Sequence, residues 1–189
     1  PITVTMSIEG DRGQVVFDGP AHPGNLNAPT AVAKAALLYV LRALVDEPHQ
    51  LLNAGSLHPV GFSVNPGGLF DPHEPSAVAG GNVETSQRLV DAMLTALGAQ
   101  AASQGTMNNL TVGTRSGVWY ETIPGGSGAG PSFDGACGVQ VHMTNTCSTD
   151  VEELESRFAV RLVRIQRRRE SGGDGRFTGG DGIIKEWLF

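Results

Sequence analysis

The chain has 189 residues, 40% of them hydrophobic and 17% charged, with a formal net charge of −6. That length supports one sizeable domain with its own core, and the acidic balance excludes a nucleic-acid footprint spread across the surface. No apolar run reaches the roughly 18 residues needed to span a membrane, and the 26 glycines are about twice the usual share of roughly 7%.

Ile2, Val4, Met6 and Ile8 alternate with polar residues, the pattern of a half-buried strand. Glu9–Gly13 turns the chain into Gln14–Phe17, which predicts a hairpin. A loop rich in glycine, proline and asparagine follows from Asp18 to Pro29. Thr30–Val45 reads as a helix, with Pro29 suited to its first turn and Pro48 just beyond its end. Only Lys34, Tyr39 and Arg42 interrupt its apolar surface, so it is expected to be buried on most sides.

Val60–Val64 predicts a strand within a glycine- and proline-punctuated segment. A second helix follows, with Asn82 as its N-cap, an apolar face of Leu89, Val90, Met93, Leu94 and Leu97, and Gly98 as its stop. Beyond it, strands are expected around Leu110–Val112, Val118–Ile123, Gly138–Met143, Ala159–Ile165 and Ile183–Phe189, with a short helical turn at Val151–Arg157. The fold class is therefore α+β: a mixed, mainly antiparallel sheet with two long helices in a single glycine-rich domain. Pro1 opens the chain almost in mid-strand, which marks it as a piece of a longer protein.

Local motifs exclude several chemistries. GxxxxGK[ST] is absent, and the run Gly125–Gly130 lacks GxGxxG spacing and a following helix, so the chain by itself carries no nucleotide signature. That run could instead cradle an anion through successive backbone amides, or form a flexible hairpin loop. His22, His49, His58, His73 and His142 lie scattered, with neither HxH nor HxxxH spacing. Gly126-Ser127-Gly128 is not a GxSxG elbow. Cys137 and Cys147 form no CxxC pair and read as reduced thiols of a cytoplasmic protein. Arg161, Arg164, Arg167, Arg168 and Arg169 form the one basic cluster, either a solvated strand end or a phosphate contact.

The dense polar clusters point to a site made of amides, hydroxyls and backbone. One brackets the second helix, from Ala77 to Asn109, and the other runs from Tyr120 to Gly130. Glu121 is the candidate acid or base, because a carboxylate beside aromatics can have its pKa raised. His142, in a strand-like segment, is read as a partly buried histidine or a ligand contact.

In collinear order, six motifs resemble the hydantoinase B/5-oxoprolinase family. They are Asn53–Leu57, Ala79–Gln87, Ser103–Asn109, Tyr120–Ile123 with Gly125–Ala129, His142–Thr146, and Ser171–Gly173 with Gly179–Gly182. The resemblance covers residues 1–189 and implies the carboxyl-terminal portion of a B-type subunit or domain, related to ketone carboxylase large subunits.

In such systems an A-type partner uses ATP to phosphorylate a cyclic amide, and the B-type part takes the activated intermediate to hydrolytic ring opening. The implied activity is that of an ATP-dependent cyclic-amide hydrolase, not active as this portion alone. A ketone carboxylase subunit and a non-catalytic split homologue acting as scaffold are the alternatives. The resemblance assigns catalytic parts to Glu121 and His142. It assigns substrate contacts to Asn82, Glu84, Gln87, Gln104, Asn108, Asn109, Tyr120, Ser127 and Asn145. It implies no metal or cofactor held by this segment, ATP and Mg on the A-type partner, and a divalent metal in the upstream part of the B-type chain. The expected partners are the A-type subunit and that upstream part, with neither nucleic acid nor membrane.

Overall fold

A computed structural model describes residues 1–45, 47 and 53–189, so Pro48 and His49 lie outside the described residues. The chain forms two compact units, Pro1–Ala99 and Gln100–Phe189. Helices and small, mostly antiparallel sheets make the fold α+β.

In the first unit, β1 (Thr3–Glu9) and β2 (Arg12–Asp18) pair antiparallel from Thr3 opposite Asp18 to Glu9 opposite Arg12. Gly10, at φ +62°, makes the left-handed turn that this tight hairpin requires. β3 (Val60–Val64) lies parallel to β2 on its other side. A parallel neighbour needs a crossover, and α1 (Thr30–Leu44) supplies it. Phe17, fully buried on β2, packs against Phe70 and Phe62 at centroid distances of 5.9 and 6.4 Å.

α1 buries Ala33, Ala36, Leu37 and Val40, one stripe at helical spacing. This differs from the expectation of burial on most sides. The hydrophobic run is nearly continuous, but a helix lying on one layer covers only one face, and Leu44 stays exposed. α2 (Ser86–Ala96) packs on α1 and buries Leu89, Val90 and Met93.

The predicted end of α2 is present in full. Ala99 N–H donates to Leu94 O (2.9 Å) and Gly98 N–H to Thr95 O (3.0 Å), with Gly98 at φ +64°. This is a Schellman motif. The predicted start is not. A one-turn π-type segment, Gly81–Thr85, precedes α2, and Asn82 sits inside it rather than capping it. Ser86 hydroxyl donates to Asn82 O. The helical backbone begins before Asn82 because the loop at 25–28 presses on it: Gly80 N–H donates to Asn25 O (2.7 Å), and a Cβ on Gly81 would lie 2.4 Å from Asn27 O.

In the second unit, β4 (Asn109–Thr114) and β5 (Gly117–Thr122) form an antiparallel hairpin. β6 (Gly125–Gly126) pairs with β7 (Cys137–Val139). α3 (Val151–Arg157) is capped by Asp150, whose carboxylate accepts from the Glu152 and Glu153 amides. β8 (Arg161–Arg167) and β9 (Ile183–Leu188) form the last antiparallel pair. Trp119, Leu154 and Val160 make a buried cluster, joined by Phe158 and Trp187. The expected strand at Gly138–Met143 stops at Val139. Residues 141–144 turn instead, with Thr144 N–H on Val141 O (3.0 Å) and His142 at φ +50°.

Candidate functional site

The glycine run Gly125–Gly130 is not a flexible hairpin tip. It is a strip of backbone clamped between two others. On one side Ala101 N–H donates to Ala129 O (2.8 Å) and Gln104 N–H to Gly126 O (3.0 Å). On the other, Gly180 N–H donates to Ser127 O (2.9 Å) and Ser127 N–H to Ala136 O (3.0 Å). A Cβ on Gly126 would sit 1.8 Å from Gly180 O, so only glycine lets these strips approach.

Where the strips diverge, they leave a cleft of about 290 Å³ in the second unit. Ser103, Gln104, Asn108, Ser127, Arg168 and Ser171 are the lining residues whose side chains can hydrogen-bond, and glycine backbone forms much of the rest.

Most of these groups are already held by the fold. Asn108, at φ +49°, donates through Nδ2 to Ile123 O (3.1 Å) and accepts at its own carbonyl from Ile123 N–H (3.0 Å). Ser127 hydroxyl accepts from Ala136 N–H at 2.8 Å. Gln104 Nε2 donates to Thr106 O at 2.7 Å, while its Oε1 is buried and has no donor among the described residues. A buried acceptor without a donor calls for an explanation.

Asp181 organises the loop opposite. Its Oδ1 accepts from the Ser171 and Gly172 amides, each at 2.9 Å, and Arg167 Nε reaches its other oxygen at 3.0 Å. The Gly172 amide, with help from Ser171 and the Arg167 charge, holds the Asp181 carboxyl below its ordinary pKa. Ser171 hydroxyl in turn donates to Arg168 O (2.7 Å), and Arg168 N–H donates to Gly182 O (2.8 Å).

Glu121 lies elsewhere. On β5 it is 3% exposed, and Lys185 Nζ meets both carboxylate oxygens at 3.0 and 3.1 Å. Thr149 N–H adds a third contact at 3.3 Å. Strand alternation does set Glu121 and Trp119 inward and leave Tyr120 exposed, as expected, but Thr122 is buried too.

Of the residues expected in the site, Gln104, Asn108 and Ser127 line the cleft together. Asn109, Tyr120, Glu121, His142 and Asn145 belong to the same unit but are not among its lining residues; Asn109 and Asn145 are exposed. Asn82, Glu84 and Gln87 belong to the first unit. There Asn82 is exposed, Gln87 is fully buried, and Glu84 borders an apolar hollow with Arg88 and Leu26. Sequence reading left Arg168 within a five-arginine cluster with a phosphate contact as one of two readings, and gave Asp181 no role beyond its motif. The signal was present, because Arg168 lies three residues before Ser171-Gly172-Gly173 and Asp181 lies within Gly179–Gly182.

Among the described residues no group of three His, Cys, Asp or Glu side chains could hold a metal ion, and no helix is long and apolar enough to cross a membrane. The described residues therefore do not fit a metal centre.

Known proteins resemble this chain in sequence and in fold. The chain is 47% identical over 192 residues to 5-oxoprolinase of Dictyostelium discoideum and 49% identical over 194 residues to 5-oxoprolinase 1 of Arabidopsis thaliana. Each match covers 100% of this chain and 15% of the relative, so the chain spans about a sixth of the length of those proteins. The crystal structure of ATP-dependent caprolactamase from Pseudomonas jessenii shares the fold, with a TM-score of 0.78 at 24% identity over 98% of this chain and 35% of that one. An acetone carboxylase structure shares it at a TM-score of 0.76 and 16% identity, over 97% of this chain and 27% of that one. The family profile described as Hydantoinase B/oxoprolinase matches residues 1–189, both units included. The chain belongs to the hydantoinase B/oxoprolinase family.

Proposed function

We propose that this chain is part of a longer B-type polypeptide of an ATP-dependent cyclic-amide hydrolase, and that the cleft of its second unit forms one wall of the substrate site. The observation that carries the reading is the convergence of Gln104, Asn108 and Ser127, from two separate family motifs, on one cleft. Its volume, about 290 Å³, lies at the small end of the roughly 300–1,000 Å³ common for ligand sites. That suits a compact ring rather than a nucleotide.

The chemistry follows from the amide. An unactivated lactam carbonyl is a poor electrophile, and phosphorylation of its oxygen by an A-type partner activates the ring carbon. Water adds there, the C–N bond breaks as the nitrogen takes a proton, and a second water releases phosphate from the acyl phosphate so formed. The present residues bind and orient the ring. The Asn108 carboxamide, fixed by Ile123, presents its remaining hydrogen-bonding capacity to ring substituents, and the Ser127 hydroxyl lines the same wall. Glu121 and Lys185 act as positioning residues: buried as a pair, they tie β5 to β9 rather than touching the ring. Names of relatives support the reaction class, since two are 5-oxoprolinases and one, 28% identical over 98% of this chain, is caprolactamase subunit beta.

The test is reconstitution of the full-length B-type chain with its A-type partner. ADP formation that requires a cyclic amide and matches ring-opened product mole for mole is the expected result. ADP formation that requires bicarbonate and a ketone would replace this reading with the carboxylase. No turnover of either kind by the assembled complex would leave a scaffold.

A further inference from the structure

Among the described residues that line the cleft, one carries a formal charge: Arg168. The other walls are glycine backbone, amides and hydroxyls, and no carboxylate lines the cavity. Of the acids flanking the lining residues in sequence, Glu170 is exposed and not part of the cleft lining, and Asp181 has its charge answered by two backbone amides and Arg167.

Arg168 differs from Arg164 and Arg167 in its pairing, and from Arg161 and Arg169, which also have no carboxylate partner among the described residues, in lining this cleft. Arg164 pairs with Glu186 and Arg167 with Asp181, whereas Arg168 has no carboxylate partner among the described residues. Its backbone is nevertheless fixed on both sides, by Gly182 O accepting its N–H and by Ser171 hydroxyl donating to its carbonyl. A guanidinium anchored at its base, free of an internal counter-charge and set on a neutral polar cleft is arranged to receive an oxyanion. The Ser171–Gly172 loop that completes this wall is held by the Asp181 carboxylate, whose charge is met by the two amides and Arg167 and which does not line the cleft.

We propose that Arg168 is a specificity-determining residue that binds an oxyanion group carried by the substrate. The site then favours a cyclic amide bearing a carboxylate, or bearing the phosphate placed on it, over an uncharged one. The inference rests on the cyclic-amide reading above for the identity of the ring, but anion binding stands independently of it.

Two readouts on the full-length chain assembled with its A-type partner decide the matter. In turnover, R168Q should raise KM at least tenfold for 5-oxoproline and leave KM for 2-pyrrolidinone, the same ring without the carboxylate, within twofold; R168K should fall between. A loss of kcat of at least tenfold with both rings, at unchanged KM, would assign the oxyanion to the phosphate instead. By calorimetry without ATP, R168Q should weaken binding of 5-oxoproline and of inorganic phosphate at least tenfold, while R169Q, a change in the neighbouring exposed arginine, should not. The proposal is overturned if R168Q leaves both affinities and both turnover parameters within twofold of the parent, or if the parent binds neither anion. If the complex turned over no cyclic amide, the hydrolase reading would fail while the calorimetry still judged Arg168.

Discussion

Removing Lys185 alone should be among the most damaging single changes in the second unit. The Lys185 and Glu121 side chains are 5% and 1% exposed, and they meet through two contacts of 3.0 and 3.1 Å. Lys185→Met leaves a buried carboxylate with one remaining donor, Thr149 N–H at 3.3 Å. Breaking a buried pair from one side costs about 3–5 kcal/mol, against about 0–1 kcal/mol for an exposed pair. For a chain of this size that corresponds to a fall in Tm of roughly 6–20 °C. Replacing both partners, Glu121→Leu with Lys185→Met, removes the uncompensated charge and should recover most of the loss. The residual deficit should be about 1 kcal/mol, for the Thr149 amide left without its acceptor. Urea denaturation of the 189-residue chain, followed by tryptophan fluorescence, reads this directly. The two tryptophans flank the pair: Trp187 carries Lys185 Nζ at 5.5 Å from its ring, and Trp119 packs on Trp187 at 5.8 Å. If Lys185→Met cost less than about 1 kcal/mol, or if the double variant were no better than the single, the pair would not be buried as described.

Other consequences are as concrete. Gly126→Ala would drive a methyl group to 1.8 Å from Gly180 O and should abolish stable folding of the second unit. Gly173→Ala, where a Cβ meets nothing within 4 Å, should stay within about 0.5 kcal/mol of the parent by denaturation. Asn27 is fully buried, with Nδ2 donating to His22 O and Ala77 O and Oδ1 accepting from His22 N–H; Asn27→Ala should cost about 2–3 kcal/mol in the same assay. The Asp181 carboxyl, held low chiefly by the Gly172 amide, binds protons less readily folded than unfolded. Its stabilisation is therefore fully present above the ordinary value of 3.8 and is lost as pH falls through the lowered folded value. The stability difference between parent and Asp181→Asn should be flat above about pH 5 and shrink in acid; a difference that grew as pH fell would contradict the assigned contacts.

What the sequence revealed and what it hid divide along one physical line. Features set by neighbours in the chain were legible: the hairpin at Gly10, the Gly98 stop of α2 and the short helix α3 all follow from periodicity and turn chemistry. Features set by distant backbone were not. Nothing near Asn82 announces that the loop at 25–28 will start the helix early and push a π-type turn into it, so a good capping residue ended up inside. Glu121 carried the right chemistry for a catalytic carboxylate, but its partner stands 64 residues away, and that pairing turned it inward.

The glycine clusters hold the sharper lesson. Glycine surplus suggested flexible loops or a cradle of free amides. Here, however, the amides of Gln104, Ser127 and Gly180 are spent on neighbouring strips, and the glycines exist so that those strips can touch. Backbone so engaged has few amides left to seize an anion. That is why charge recognition in this cleft must come from a side chain, and why Arg168, which in sequence is one arginine among five, acquires its distinct position only after the Ser171 and Gly182 contacts fix it. The rigid glycine wall then serves Arg168 by geometry: a cleft that cannot relax holds the ring at one distance from the guanidinium.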